Sequence, residues 1–408
     1  MKEQSKRQSA AGNALRGRDL LVFSNDWDGD PLSKVHLMRI LAQDNRILWV
    51  NSIGNRAPRV DGHDLKRIAS KLQRFTEGVQ QVEPNLYVLS PLAIPLYGSR
   101  AVRAANGVLL RAQLKRAMQQ LHFERPISWS FLPSSAPVSG TLGESFVVYH
   151  CVDEFSAFED TNGAHISALE SELLAKSDLV VTSAETLRES KSRQNPNTVL
   201  VRHGVDFRHF SKACDPSTKV PAELAALPGP VLGFFGLVAT WVDLEAIANV
   251  ARAYPHGSVV ILGKVAPDVD VSMLRRLPNV HFMGRRPYEE LPAWCRGFDV
   301  ALMPFKVDRL TINANPLKVR EYLAAGLPVV SSDLPEVRQV GLCHIAKDAS
   351  DFPRQVQAAL NEGGGCDRAR AGRIAHESWD ARVEELRGLV GEAMARGRRN
   401  TMGGASMH

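Results

Sequence analysis

The stretch Asn313-Ala-Asn-Pro-Leu-Lys-Val-Arg-Glu-Tyr-Leu-Ala-Ala-Gly-Leu-Pro-Val-Val-Ser-Ser332 reads as a short helix running straight into a buried strand, one step of a parallel α/β sheet. Asn315 is a suitable N-cap, and Pro316 suits the first helical position, where its missing N–H costs nothing. Gly326 followed by Pro328 ends the helix, expected over 316–325, before a strand at Pro328–Ser331. The free N–H groups and positive dipole end at the start of this helix favour a phosphate, and Lys318 adds a full charge in the first turn. Glu321, on the same face, is placed to accept hydrogen bonds from a sugar hydroxyl. In isolation such a Lys and Glu pair would be an ordinary solvated face, so the surrounding chain must decide.

Outward from this stretch, apolar strands alternate with amphipathic helices. In the first half, strands are expected at Leu20–Ser24, Ile47–Asn51, Leu86–Ser90, Ile127–Phe131, Phe146–Val152, Leu179–Thr182 and Val199–Arg202. The second half repeats the pattern at Val231–Phe235, Ser258–Leu262, Val280–Met283, Val300–Pro304, Pro328–Ser331 and Cys343–Ala346. The alternation predicts two doubly wound, Rossmann-like α/β domains facing a cleft, with ligands at the carboxyl ends of the strands. The expected division is a disordered basic N-terminus (1–18), a first domain (19–210) and a Pro-rich linker (211–229). A second domain (230–375), a C-terminal helix packing back on the first domain (376–398) and a disordered tail (399–408) complete it.

Composition narrows the classes. The five cysteines, among 408 residues, show no C-x-x-C pair, which points away from a zinc site or a disulfide framework and toward a reduced, cytoplasmic compartment. The polar N-terminus has no signal-peptide core, and no run of eighteen or more apolar residues is present. Residues 1–150 carry 20 Lys plus Arg against 12 Asp plus Glu, a net of +8 in a chain of +6. Basic residues are not interleaved with aromatics, so nucleic acid is not expected; an anionic inner-membrane surface is the preferred partner of that half, beside a merely solvated basic surface. Residues 64–75 form an apolar stripe (Leu65, Ile68, Leu72, Phe75) opposite Lys66, Arg67, Lys71 and Arg74, suited to a bilayer surface or to a core.

The loop after the first strand, Ser24 to Pro31, lacks G-x-G-x-x-G, which removes a dinucleotide-binding dehydrogenase. Asp26, Asp28 and Asp30 mimic a metal-binding D-x-D, yet turn and cap roles are expected and no metal is assigned. In the second half Gly236, Gly263 and Gly284 each end a strand on one side of the sheet, where backbone can approach a nucleotide or simply turn.

Phe234-Phe-Gly236, Val259-Val-Ile-Leu-Gly263, Asn279-Val-His-Phe-Met-Gly284, Tyr288-Glu-Glu-Leu-Pro292, Phe298 to Phe305 and Lys318 to Val330 together resemble the donor domain of GT-B glycosyltransferases, over residues 230–340. Arg202-His-Gly-Val-Asp206 resembles the segment closing the first domain in that superfamily. Asn315-Pro-Leu-Lys318 with Tyr149-His-Cys-Val-Asp-Glu-Phe155 is similar to bacterial enzymes of exopolysaccharide and teichuronic-acid assembly, including xanthan-type glucuronosyltransferases.

The resemblance implies a nucleotide diphosphate sugar, a UDP-sugar being favoured, held by the second domain without cofactor or metal, and a polysaccharide or lipid-linked oligosaccharide acceptor on the first. Lys318 would contact the diphosphate and Glu321 the ribose, with Gly236, Gly263, Arg285, Arg286, Arg309, Thr311 and Asn315 on the donor side. Two departures stand out. Asn313 occupies the first of the two glutamate positions of retaining members, Glu321 the second, and the usual basic residues after Gly236 are absent. An inverting displacement would need a base, for which Asp153 is the candidate by its similarity to the xanthan-type segment; capping of the next helix by Asp153 or Glu154 is the equal alternative. His36, His150 and His203 are acceptor-side candidates. The function implied is a glycosyltransferase of cell-surface polysaccharide synthesis; the alternatives are a nucleotide-sugar epimerase of the same fold and an inactive nucleotide-sugar-binding module.

Overall fold

The computed structural model describes residues 14–28, 31–52, 77–92, 100–158 and 163–404. The chain divides into two units, 1–202 with 382–408, and 203–381.

In the first unit the strands are β1 (Asp19–Phe23), β2 (Arg46–Val50), β3 (Val79–Glu83), β4 (Leu86–Leu89), β5 (Ile127–Ser130), β6 (Phe146–Cys151), β7 (Leu179–Thr182) and β8 (Thr198–Leu200). Among the described residues they form one sheet, ordered β3-β4-β2-β1-β5-β6-β7-β8. All pairs are parallel except β3 with β4. Its inner strands are buried at nearly every position, β6 from Phe146 to Cys151 without interruption, as expected where helices cover both faces. The order reverses between β1 and β5, so the loops after β1, β5 and β6 gather at the switch point where such sheets bind ligands. Strand β3 is not among the sequence expectations. Its Val-Gln-Gln-Val-Glu is largely exposed at the edge of the sheet, where polar residues replace the apolar alternation that marks a strand.

The second unit carries β9 (Val231–Phe235), β10 (Ser258–Leu262), β11 (Val280–Gly284), β12 (Val300–Met303), β13 (Val329–Ser332) and β14 (His344–Ala346). They form a wholly parallel sheet ordered β11-β10-β9-β12-β13-β14, with its switch point between β9 and β12. Helices Leu244–Ala253, Leu317–Ala324 and Phe352–Asn361 bury one stripe each against it.

Three boundaries differ from expectation. The stretch 211–229 is not a free linker: Ala213 and Leu224, with Phe210, are buried in the core of the second unit, so apolar contacts outweigh the prolines. The first unit closes at Arg202 rather than at 210. The final helix runs from Trp379 to Gly404, past the end expected at 398, and from Arg382 onward it counts with the first unit. There Arg387, 2% exposed on its side chain, pairs with Asp44 at 2.7 Å. The amphipathic stretch 64–75, Asp30 and residues 1–13 lie outside the described residues.

Candidate active site

On the second unit the site starts from two glycines. Gly236 follows β9 with φ +134° and Gly263 follows β10 with φ +144°, values that side-chain-bearing residues rarely adopt. The Gly236 N–H donates to the Leu262 carbonyl and the Gly263 N–H to the Gly284 carbonyl, both at 2.8 Å, so the three strand ends are laced together. The space above them is filled by a lysine: a Cβ on Gly236 would stand 2.0 Å from Lys318 Cε and 2.8 Å from its Nζ, while one on Gly263 would stand 1.9 Å from the Gly236 carbonyl oxygen. Gly236 thus makes room for the Lys318 stem, and Gly263 for Gly236.

The helix Leu317–Ala324 presents Lys318 and Glu321, and it is fixed to β9 by Tyr322, whose buried hydroxyl accepts the Phe235 N–H at 2.8 Å. Lys318 Nζ lies 5.9 Å from the centre of the Phe305 ring. Among the described residues neither the Lys318 nor the Glu321 side chain makes a hydrogen bond or ion pair. Burial lowers the Lys318 pKa, partly offset by Glu321. Burial lifts the Glu321 carboxyl from 4.5 to about 7, with Lys318 pulling it down and Asp206 pushing it up. A half-buried carboxyl without a partner, beside a half-buried amine without one, is an arrangement that a polar ligand would complete.

Asn315 is not the N-cap. Pro316 holds that position without a side-chain cap bond, and no acidic residue occupies the first turn, so the leading N–H groups stay open to an anion. Asn315 is buried instead: its Oδ1 accepts from Arg320 Nη1 at 2.5 Å and its Nδ2 donates to Glu336 at 3.4 Å. The Arg320 guanidinium, 1% exposed, also meets Glu377 at 2.6 Å, and a buried cation outcompetes a cap for the amide oxygen. Thr311 is likewise drawn into the protein, its hydroxyl donating to the Lys306 carbonyl at 2.5 Å and accepting the Asp308 N–H at 3.0 Å in a capping box. Arg286 pairs with Glu223 at 2.8 Å and lies 4.7 Å from the Trp294 ring, which makes it a brace for the linker-derived helix. Arg285 and Arg309 are exposed, and Asn313 caps the helix Arg309–Ile312, donating to the Arg309 carbonyl at 2.7 Å.

His203 falls in the second unit rather than the first, and its Nδ1 donates to the Asn315 carbonyl at 2.8 Å. His36 is half-buried within the helix Ser33–Leu41 of the first unit. His150 is buried in β6, stacked 5.0 Å from the Phe131 ring.

Asp153 follows β6 at its carboxyl end. Among the described residues its carboxylate makes no hydrogen bond, and burial raises its pKa from 3.8 to about 6 against the pull of Lys34. Glu154 turns the other way: Lys191 Nζ donates to Glu154 at 2.9 Å and to Glu170 at 2.8 Å, and Tyr149 donates to Glu170 at 2.6 Å. All four are buried, and Glu154 makes no side-chain cap bond. Burial opposes the charge on Lys191, yet Cys151, Glu170 and Glu154 hold its pKa above the ordinary value. The capping alternative for Glu154 is thereby replaced by an ion cluster that fixes the loop carrying Asp153. Lys34 is the residue that sequence reasoning missed. Its signal was a lysine in register with Leu37, Met38 and Leu41 on the buried stripe of a helix. Among the described residues no group of three or more His, Cys, Asp or Glu side chains is arranged to hold a metal ion, and no helix is long and apolar enough to cross a membrane.

Residues 229–362 match the family described as Glycosyl transferases group 1. Across most of its length the chain is similar to the teichuronic acid biosynthesis glycosyltransferase TuaH of Bacillus subtilis (strain 168), 25% identical over 351 residues that cover 79% of this chain and 82% of that one. Among solved structures, sucrose-phosphate synthase (tll1590) from Thermosynechococcus elongatus superposes with a TM-score of 0.60 at 17% identity, covering 95% of this chain and 100% of that one. The UDP-forming α,α-trehalose-phosphate synthase of Burkholderia vietnamiensis gives 0.63 at 12%, covering 91% and 96%. Anabaena Alr3699/HepE in complex with UDP-glucose gives 0.59 at 11%, covering 94% and 100%.

Proposed function

We infer the reaction from the premise that the chain is a glycosyltransferase of the GT-B fold whose residues 229–362 belong to the glycosyl transferases group 1 family. It moves a sugar from a nucleotide diphosphate sugar to a hydroxyl of a polysaccharide or lipid-linked oligosaccharide in cell-surface polysaccharide synthesis. The observation that carries this reading is Lys318, laid across Gly236 at an open helix start, with the unpartnered Glu321 one turn behind. The diphosphate takes the Lys318 ammonium and the leading N–H groups; the ribose hydroxyls take Glu321, whose ionisation they favour by donating to it. Gly236 and Gly263 let the backbone approach the nucleotide. A uridine nucleotide is the favoured donor, supported by the UDP and UDP-glucose held by the Alr3699/HepE structures.

In the transfer step the acceptor oxygen bonds to the anomeric carbon as the bond from that carbon to the diphosphate oxygen breaks. The acceptor hydroxyl proton passes to Asp153, and the departing diphosphate keeps its electron pair against Lys318 and the helix dipole, which stand where other folds employ a cation. Asn313, engaged as a helix cap, offers no carboxylate to the sugar, which favours a single displacement with inversion. Association of the basic first unit with an anionic membrane surface on the cytoplasmic side belongs to the same reading and rests on charge. Sedimentation with anionic vesicles at low salt, lost on adding salt, is its check.

The functional test is a thermal-shift screen of nucleotide sugars followed by transfer assays. A uridine diphosphate sugar stabilises the protein, Lys318→Ala abolishes that stabilisation, and product forms only with an acceptor. An isomerised sugar from the donor alone would establish an epimerase. Donor binding with no turnover across acceptors would establish a binding module.

A further inference from the structure

The helix Ser33–Leu41 buries Lys34 to 6% exposure, at the end facing the loops that follow β1, β5 and β6. Its Nζ donates to Asn25 Oδ1 at 3.2 Å, from the β1 loop. The same atom lies 5.7 Å from the centre of the Phe131 ring, just past β5, and 5.9 Å from that of Phe155, just past β6. A lysine that only covered apolar surface would carry its amine out to water, since a desolvated ammonium is costly. Here the amine is turned inward between two aromatic rings and beside the loop of Asp153.

We propose that Lys34 is the electrostatic partner of Asp153, a positioning residue that keeps the carboxylate ionised so that it can take the proton of the acceptor hydroxyl. The proposal rests on Asp153 acting as that base. The groups that bear on the pair are few. Cys151, on β6, donates to the Asp153 backbone carbonyl at 3.4 Å. Glu154, the adjacent carboxylate, is drawn away by Lys191, which also neutralises Glu170. The cation whose charge bears on Asp153 is thus Lys34, and the influence is mutual: burial lowers the Lys34 pKa to about 8 against the opposing pull of Asp153 and Cys151. At neutral pH the pair is ionised on both sides, with Asp153 poised near 6. A base of that strength is ionised in the cell and still able to accept a proton.

The test is the pH dependence of kcat/KM for wild type, Lys34→Met and Lys34→Arg, with Asp153→Asn as reference. Wild type loses activity as pH falls through about 6. Removing the neighbouring charge moves that limb upward by roughly one pH unit in Lys34→Met, a loss of about 5-fold at pH 6, approaching about 10-fold below pH 5, and little at pH 8.5. Lys34→Arg restores the wild-type limb. A loss equal at every pH, or a limb that stays in place in Lys34→Met while Asp153→Asn is inactive, overturns the role of Lys34 alone; an active Asp153→Asn overturns the base assignment itself. A second readout is independent of turnover and of the Met variant: NMR titration of the Lys34 amine falls below its wild-type value of about 8 in Asp153→Asn. An unchanged value refutes the coupling.

Discussion

Gly236→Ala offers a sharp probe of the donor site, because its two consequences separate. The first is strain: alanine must adopt φ +134°, a conformation that costs about 1–3 kcal/mol in a non-glycine residue. At roughly 2–4 °C per kcal/mol for a unit of this size, melting falls by about 4–8 °C for a mid-range cost. The second is displacement. The new methyl would stand 2.0 Å from Lys318 Cε, closer than atoms can approach, and since the lysine is flexible while the strand end is fixed, the lysine moves. Its ammonium then no longer meets the diphosphate, a charge-assisted contact contributing roughly 1.5–3 kcal/mol, or ~10- to 150-fold in affinity. Lys318→Ala loses the same contact without the strain. The two substitutions therefore do not add: isothermal titration with uridine diphosphate should find the double variant bound no more than about 0.5 kcal/mol more weakly than Lys318→Ala. The melting loss of Gly236→Ala persists in the double variant. Wild-type affinity in Gly236→Ala, or two losses that multiply, would refute the claim that this glycine exists to seat the lysine.

Glu321→Gln should raise the stability of the ligand-free protein at pH 8, by on the order of 2 kcal/mol, and change it little at pH 4.5. The sign follows because the folded pKa of about 7 exceeds the ordinary 4.5, so the folded form holds its proton more tightly and wild-type stability declines as pH rises through that window. Urea titrations across pH check it, and the same variant should bind donor more weakly. Lys191→Met strands Glu154 and Glu170 without their cation and should cost about 3–5 kcal/mol, read as a lowered urea midpoint; adding Glu154→Gln and Glu170→Gln should recover part of it. NMR of the product linkage against the donor should show an inverted anomeric configuration, and retention would remove Asp153 from its assigned role.

The parallel architecture was legible because the strands of the second unit are short, mostly apolar runs, three of them (β9, β10 and β11) ended by a glycine, and those runs need no knowledge of their neighbours. Lys318 and Glu321 were legible for a similar local reason, a three-residue spacing on one helix. The contacts of Asn315, Thr311 and Arg286 were not legible because their partners, Arg320 and Glu336, Lys306 and Asp308, Glu223 and Trp294, are fixed by tertiary packing that spacing does not encode. The role of Glu154 was hidden likewise, since Lys191 lies 37 residues away along the chain. Lys34 was visible as a charge on an apolar stripe, but only the loops after β1, β5 and β6 make that charge meaningful.

The discontinuity of the first unit bears on how the protein is made. Residues 382–408 count with a sheet whose last strand ends at Leu200, and the buried Arg387 reaches back to Asp44. A ribosome therefore releases every strand of that unit, then the whole of the second, before the final helix is available. The half that carries Asp153 must wait, incomplete, until the helix that begins at Trp379 has emerged, while the donor half can finish first. Truncation ahead of Arg382 would accordingly damage the unit made earliest, not the one adjoining the cut.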